Sequence, residues 1–172
     1  AVTGDVIDGD VDELRDHTEP LKDIRARHGV YFVTGNHEYY FDAPGWIAEM
    51  QRLGMHALIN AHHTLEHRGH KIVVAGVTDI GAGSMVAQHE SDPRAAMEHA
   101  PADAALRLLL AHQPRSAYAA QAVGFHLQLS GHTHGGQLFP GTWLIGLVQP
   151  FVAGLHRYRD MWVYTNRGTG YW

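Results

Sequence analysis

Short apolar runs alternate with amphipathic segments along this chain, and that alternation predicts a layered α/β protein. Runs rich in valine, isoleucine and leucine, bounded by glycine or polar residues, are typical of buried strands. The chain begins inside such a run, at residues 1–3. Further strands are predicted at residues 30–34, 57–60, 71–77, 105–111, 125–130 and 161–165.

Helices are predicted where apolar residues recur every three or four positions. This spacing occurs over residues 10–27 (interrupted near Pro20), 44–53, 92–99 and 114–122. In the second of these, Trp46 and Met50 share one face and Asp42 is expected to be the N-terminal cap. The polar residues 62–69 are predicted to form the hairpin between the strands on either side of them.

Several predicted strands are followed at once by residues that can bind metal ions. In chain order these are Asp5, Asn36, His37, His112, His132 and His134. Because the carboxyl ends of neighbouring strands meet at one edge of an open α/β sheet, we expect these side chains to converge. Carboxylate, amide and imidazole groups together form a mixed nitrogen and oxygen ligand set that suits Zn, Mn or Fe.

These short segments resemble, in the same order, the metal-binding motifs of the calcineurin-like metallophosphoesterases. The matching segments are Gly4-Asp5, Gly35-Asn36-His37-Glu38, Ala111-His112 and Gly131-His132-Thr133-His134. The last continues as Gly135-Gly136-Gln137, as in a bacterial branch of the family whose members are often membrane-associated. The resemblance covers nearly the whole chain. It implies a layered sandwich of two facing mixed β-sheets flanked by helices, and a dinuclear metal centre that hydrolyses phosphate esters.

The resemblance also implies a ligand role for each matching residue. Asp5 would bridge two divalent ions (Mn, Fe or Zn). Asn36, His112 and His132 would complete the protein ligands of one ion, and His134 would bind the other. The substrate implied is a phosphorylated small molecule or lipid, as a diester or a monoester.

Three further polar residues lie close to these ligands in the sequence. His37 resembles the family's catalytic histidine, which lies beside the phosphate without binding a metal, where it could hydrogen-bond a phosphate oxygen or protonate the leaving alkoxide. Glu38 is expected to orient a neighbouring imidazole, as carboxylates behind metal ligands often do. Asp8 matches a frequent acidic position of the family and is not assigned a ligand role.

The family's first motif, Asp-x-His, has no match in this sequence. Only four residues precede Asp5, and the pair Asp16-His17 lacks the spacer residue. We therefore expect residues 1–172 to form a single domain that is the catalytic core of a longer protein, shortened at both ends. The alternative is a non-catalytic or inactive metal-binding module. Retention of His37 favours the enzyme, because a module that only binds metal needs no histidine beside the phosphate.

Composition excludes several classes of protein. A length of 172 residues with 45% hydrophobic and 18% charged residues is typical of one globular domain. The net charge of −5 argues against a general nucleic-acid surface, which would be basic. The lack of cysteine excludes disulfides and thiolate ligands. No apolar run reaches the length of about 18 residues that a transmembrane helix needs. We therefore expect the chain itself to be soluble, and its cellular location stays open.

Two features of the sequence have more than one interpretation. Residues 138–155 are apolar but broken by Pro140 and Pro150. We expect this segment to pack inside; the alternative is an apolar lip beside the metals that meets a lipid surface or an acyl chain. Most of the fifteen histidines are predicted to be solvated. A zinc cluster within residues 62–70 is disfavoured, because no cysteine or acidic partner has a defined spacing there.

Overall fold

Eight strands form two sheets in the computed structural model, which describes residues 1–137, 141 and 145–170. The smaller sheet pairs β1 (Tyr31–Phe32) with β2 (His56–Ala57) in parallel, and Val2 joins it through a parallel bridge to Phe32. The strands of the larger sheet are β3 (Ala61–His67), β4 (His70–Gly76), β5 (Leu106–Leu110), β6 (Leu127–Ser130), β7 (Gly154–Tyr158) and β8 (Met161–Thr165).

The larger sheet is mixed, with spatial order β3-β4-β5-β6-β8-β7. The four inner strands are parallel, while the edge strands β3 and β7 are each antiparallel to their neighbour. The carboxyl ends of the inner strands therefore meet at one edge of the sheet. The predicted α/β class with a mixed sheet and flanking helices is confirmed.

The α-helices whose bounds the structure describes, together with several short 3₁₀ helices, connect the strands. The α-helices are α1 (Val11–Thr18), α2 (Asn36–Tyr40), α3 (Ala43–Arg52) and α4 (Ala117–Ala120). The 3₁₀ turns are Glu19–Asp23, Ala82–Ser84, Ala87–His89, Ala95–Met97, Pro114–Ser116, Gln121–Val123 and His134–Gly136. Thus the predicted helix over residues 92–99 is only one 3₁₀ turn, and the helix predicted over residues 10–27 gives way to a 3₁₀ turn after Thr18.

The two sheets face each other across a shared apolar layer. Tyr31, Val33 and Leu58 from the smaller sheet and its flanks pack against Val74 and Leu110 of the larger sheet. On its other face, the smaller sheet is covered by α1 and α3. On the far face of the larger sheet lie α4 and its 3₁₀ extensions. The result is the layered arrangement that the alternation of elements predicted.

Helix α3 closes the outer face of the smaller sheet around Trp46. Asp42 caps the helix by accepting a hydrogen bond from the Gly45 N–H at 3.2 Å, as predicted. Trp46 and Met50 are fully buried against Phe32. The indole N–H of Trp46 donates to the Gly9 carbonyl oxygen at 3.0 Å, so the polar atom of this large side chain is also satisfied.

Two elements near the sheet edges differ from the sequence-based prediction. Residues 62–69 were predicted to be a hairpin connection, but most of them form β3, and the turn is confined to Arg68 and Gly69, both at positive φ. Because β3 is an edge strand with one exposed face, it is rich in polar residues and lacks the apolar run that predicts a buried strand. The edge strand β7 was not predicted either.

The apolar segment 138–155 is described only in part. Residues 138–140 and 142–144, which include Phe139 and Trp143, lie outside the described residues. Within the remainder, Phe151 is buried in the core of the larger sheet, whereas the Leu147 residue is 82% exposed. Among the described residues, no helix has the length and apolar character needed to cross a membrane.

Replacement of Trp46 by alanine should remove the largest side chain of the outer layer and leave a cavity beside Phe32. We expect the free energy of unfolding to fall by about 3–5 kcal/mol, measured by urea denaturation followed by circular dichroism. Trp162→Ala is the matched control, because Trp162 is 43% exposed on β8. Its loss should stay below about 2 kcal/mol. Equal losses in the two variants would contradict the packing described for α3.

Candidate metal centre

Four of the predicted metal ligands meet at the carboxyl edge of the sheets. Nε2 of His112, which follows β5, lies 2.9 Å from an Asp5 carboxylate oxygen, 3.2 Å from the Asn36 amide oxygen and 3.0 Å from Nδ1 of His132. Ligand atoms of Asp5, His112 and His132 all lie within 4.8 Å of one another. The prediction that these strand ends converge therefore agrees with the structure.

The donor chemistry of this cluster fits a metal cation. Nδ1 of His112 contacts the Thr3 carbonyl oxygen at 2.6 Å, so this nitrogen carries a proton and Nε2 faces the cluster. A backbone carbonyl behind an imidazole is a usual way to orient a metal-binding histidine. The Nε2 lone pair then faces the oxygens of Asp5 and Asn36. A proton or a metal cation at this point is needed to hold these electron-rich atoms together.

The pKa values of Asp5, His112 and His132 are set by burial and by the charges of their neighbours. Burial alone would lower the pKa of His112, but its hydrogen bond to Asp5 and the charge of that carboxylate outweigh burial and raise it. Burial would raise the pKa of Asp5, yet its interactions with His112 lower it. Burial and the nearby His112 together lower the pKa of His132 to about 4. Within the cluster protonation is therefore favoured most at His112, and a metal ion would compete with a proton there.

Two glycines let the first two metal-binding loops touch. A Cβ atom on Gly4 would lie 2.2 Å from the Gly35 nitrogen, and one on Gly35 would lie 2.1 Å from an Asp5 carboxylate oxygen. Gly4 also has φ +84°, in the left-handed region that favours glycine. No larger residue fits either position without moving the backbone that carries Asp5 and Asn36.

Three of the predicted ligands have a strained backbone conformation. Asp5, His132 and His134 have φ of 54°, 70° and 48°, values that non-glycine residues seldom adopt. Each such residue costs about 1–3 kcal/mol, and such residues cluster at functional sites. In the last of the four matching segments, Thr133 supports the chain by donating to the Val152 carbonyl oxygen at 2.6 Å.

Glu38 has a different role from the one predicted for it. Its fully buried carboxylate accepts hydrogen bonds from the N–H groups of Gly35, Asp5 and Val6 at 2.6, 3.0 and 2.8 Å, and burial raises its pKa. The expected contact with an imidazole is not among these bonds. Because Glu38 lies in the first turn of α2, its side chain turns back toward the N-terminus and ties the two metal-binding loops together.

His37 lies beside the cluster and not within it. Its N–H donates to an Asp5 carboxylate oxygen at 3.0 Å, but its ring nitrogen Nε2 is 4.0 Å from Asp5. Nδ1 of His37 contacts the carboxylate of Asp8, which orients the ring. With 26% of its side chain exposed, His37 can reach a bound molecule. Asp8, for which no ligand role was predicted, therefore acts on the imidazole of His37.

His134 lies outside the group of converging ligand atoms. Its Nδ1 atom contacts the Gly170 carbonyl oxygen at 3.3 Å. Among residues 1–137, 141 and 145–170, three residues form the only group of three or more histidine or acidic residues whose ligand atoms converge, and His134 is not one of them. The structure therefore brings together the ligands predicted for one ion and leaves the one predicted for the second ion apart.

Asp79 is a residue of the site that the sequence analysis missed. It follows β4 at the same carboxyl edge, is buried, and accepts two hydrogen bonds from the Gln113 side chain at 2.9 and 3.2 Å. Its charge acts on His112 and His132, favouring their protonated forms. The sequence could have predicted this residue, because Asp79 follows the apolar run 71–77 just as Asp5 follows the apolar run at residues 1–3.

Sequence comparison places these residues in a known family. The family of calcineurin-like phosphoesterases matches residues 1–136. A transmembrane protein with a metallophosphoesterase domain from Danio rerio is 40% identical over 99% of this chain, and its Bos taurus counterpart is 38% identical over the same share. An uncharacterized metallophosphoesterase of Helicobacter pylori is 32% identical. The chain spans 41% to 45% of the length of these relatives.

Comparison with solved structures shows the same fold at low sequence identity. A putative 5'-nucleotidase from Staphylococcus aureus matches with a TM-score of 0.59 at 15% identity, over 92% of this chain and 37% of that protein. The sulfate thiohydrolase SoxB of Thermus thermophilus matches with a TM-score of 0.56 at 17% identity, over 79% of this chain and 27% of that protein. On the sequence match, the chain belongs to the calcineurin-like phosphoesterase family.

Proposed function

We propose that this chain is the catalytic core of a metal-dependent phosphoesterase that hydrolyses a phosphate ester with a metal-activated water. The observation that carries the proposal is the convergence of Asp5, Asn36, His112 and His132 on one point, with His37 held beside them. Membership of the calcineurin-like phosphoesterase family supports the general activity. A phosphomonoester and a phosphodiester both fit this chemistry.

Divalent metal ions are the cofactor that the cluster fits. We propose that Asp5, Asn36, His112 and His132 bind one ion, and that Asp5 and His134 contribute to a second in the complete centre. The nitrogen and oxygen donors suit Mn, Fe or Zn alike. Such ions polarise a phosphoryl oxygen and lower the pKa of bound water toward neutrality. The neutral amide of Asn36 limits the negative charge that an anionic substrate would meet.

His37 is the residue we propose to act on the substrate directly. Because Asp8 contacts Nδ1 of His37, its Nε2 is the ring nitrogen on the side of Asp5. There it can donate a hydrogen bond to a phosphate oxygen, or give its proton to the leaving alkoxide. Asp8 fixes the ring orientation.

A non-catalytic metal-binding module is the second candidate function. One observation favours it: within the described residues, the ligands of one ion converge, while His134 lies outside that group. Binding of a single metal ion without hydrolysis would then be the whole activity of the chain. The two candidates differ in what they require of His37, because a module that only binds metal does not use it.

Exposed apolar side chains lie on three segments beside the metal centre, and we call them the apolar rim. They are Tyr40 and Phe41 at the end of α2, Ile80 and Met85 after Asp79, and Leu147 and Val148. The last two precede Gln149, whose side chain donates to the Gln113 side chain next to His112. We propose that the apolar rim meets a lipid surface, which would give access to a lipid-linked phosphate ester. The names of the two vertebrate relatives, which call them transmembrane proteins, support a membrane setting.

Variants at the centre should separate metal binding from turnover. Asn36→Ala and His132→Ala should weaken Mn²⁺ binding and abolish hydrolysis of bis(p-nitrophenyl) phosphate. His37→Ala should retain the metal and lower kcat by about 10²–10⁴-fold. Metal content by elemental analysis and initial rates give both quantities, and His99→Ala, on an exposed loop, is the control.

Two results would contradict the enzyme proposal. Full activity in Asn36→Ala or His132→Ala would remove the metal centre from the reaction. A chain that binds Mn²⁺ through these residues but hydrolyses neither phosphodiesters nor phosphomonoesters would support the non-catalytic module.

If the apolar rim meets a lipid surface, the chain should bind to membranes. Charged substitutions in the rim should then weaken that binding. Leu147→Asp combined with Val148→Asp should reduce co-sedimentation with phosphatidylcholine vesicles by at least about tenfold, because each buried leucine-sized side chain contributes about 1.5–3 kcal/mol. Ile24→Asp is the matched control, since Ile24 is exposed but precedes β1, at the opposite edge of the sheet. If wild type and the double variant sediment equally, the lipid proposal is wrong.

A further inference from the structure

Two histidines far apart in the sequence meet at the edge of the fold opposite the metal centre. His28 lies in the loop before β1, and His67 is the last residue of the edge strand β3. Because β3 is antiparallel to β4, His67 lies where the parallel strands begin. Nε2 of His28 is 2.9 Å from Nδ1 of His67. We call these two residues the peripheral histidine pair.

The peripheral histidine pair has nearly the same geometry as the two histidines of the metal centre. In the centre, Nε2 of His112 lies 3.0 Å from Nδ1 of His132, with ring centroids 4.9 Å apart and ring planes at 75°. In the peripheral pair the nitrogens are 2.9 Å apart, the centroids 5.0 Å apart and the planes at 80°. In each pair, one Nε2 and one Nδ1 atom therefore face each other at close range.

Both members of the pair are held in place by the surrounding backbone. The Tyr31 hydroxyl donates to the His28 carbonyl oxygen at 2.8 Å, which fixes the loop before β1. His67 is paired with His70 across the β3–β4 hairpin. The tight turn at Arg68 and Gly69 fixes the end of the hairpin. Little conformational entropy would therefore be lost when a ligand fixes the two rings.

We propose that the peripheral histidine pair binds a divalent metal ion that prefers imidazole, such as Zn²⁺, with solvent completing the coordination. Two imidazole nitrogens bound to one tetrahedral Zn²⁺ lie about 3.3 Å apart, given Zn–N distances of about 2.0–2.1 Å. The observed separation of 2.9 Å needs only a small opening of the pair. On binding, the ring that donates the hydrogen bond moves its proton to its outer nitrogen, so both inner nitrogens offer a lone pair and no proton is lost.

The pair differs from the metal centre in lacking an acidic ligand. In the part of the chain that the structure describes, Asp5, His112 and His132 are the only group of three or more histidine or acidic residues with converging ligand atoms. A site of two imidazoles and solvent should bind metal ions more weakly than the metal centre does. It should favour Zn²⁺ or Cu²⁺ over Mn²⁺, whose preferred ligands are oxygens.

The other two histidines of β3 have contacts elsewhere. Nδ1 of His62 lies 2.9 Å from the Ala96 carbonyl oxygen, and His63 stacks against His56 with ring centroids 5.3 Å apart. Residues 62–70 are all described, and no three of their histidine or acidic side chains bring ligand atoms together. The partner of His67 is His28, which lies just before the smaller sheet. Their contact therefore joins the smaller sheet to the edge of the larger one. A bound ion would cross-link the two sheets and raise the unfolding temperature.

Calorimetric titration with Zn²⁺ tests the proposal once the metal centre is removed. In a chain carrying Asp5→Asn and His132→Ala, we expect one Zn²⁺ to bind per chain. Adding His28→Gln or His67→Gln should weaken this binding at least about tenfold, a difference of about 1.4 kcal/mol. Glutamine keeps the size and polarity of these partly exposed positions, and circular dichroism checks the fold. Adding His99→Gln instead should leave binding unchanged.

A second measurement applies to the chain with its centre intact, should the double variant not fold. After loading with Mn²⁺, addition of Zn²⁺ should raise the unfolding temperature more in the parent chain than in His67→Gln. Replacement of Mn²⁺ by Zn²⁺ at the centre would affect both chains alike. The proposal is overturned if Zn²⁺ binds the double variant with a Kd above about 1 mM, or if His28→Gln and His67→Gln behave as the parent does. Neither result depends on phosphoesterase activity.

Discussion

The convergence of electron-rich atoms around Nε2 of His112 is the constraint on which the rest of the site depends. A carboxylate, an amide oxygen and a second imidazole approach this atom within 3.2 Å. Such a group is stable only around a cation or a shared proton, since lone pairs that face each other repel. The fold holds it through the Glu38 carboxylate, which binds three backbone N–H groups from the two loops that carry Asp5 and Asn36. Gly4 and Gly35 allow those loops to touch.

Pattern and motif together predicted most of this arrangement from the sequence. The parallel inner strands end at one edge, so polar residues after apolar runs had to meet there, as Asp5 and His112 do. The role of Glu38 could not be predicted, because its partners are backbone groups brought close only by folding. The edge strands β3 and β7 were missed, since a strand with one exposed face lacks a continuous apolar run. The pairing of His28 with His67 depends on how two sheets pack.

The two halves of the predicted metal centre differ in their supporting structure. The ligands of the first ion come from loops that share hydrogen bonds and buried groups. His134 lies on a strained turn whose neighbours are Gly168 and Gly170 at the end of the described chain. The apolar rim belongs to the same edge as the first half. Hydrolysis at this edge would thus take place beside a surface suited to a lipid, which links the proposed chemistry to the proposed setting.

Anomalous scattering from crystals grown with Mn²⁺, together with metal content per chain, would show whether the four converging side chains bind a metal ion. We expect an ion bound by the Asp5 carboxylate, the Asn36 amide oxygen, and nitrogens of His112 and His132, at distances of about 2.0–2.3 Å. A second peak near His134 would complete a dinuclear centre. The absence of any Mn²⁺ peak at the four converging side chains, in crystals with Mn²⁺ bound elsewhere or not at all, would contradict the proposal that these side chains are metal ligands.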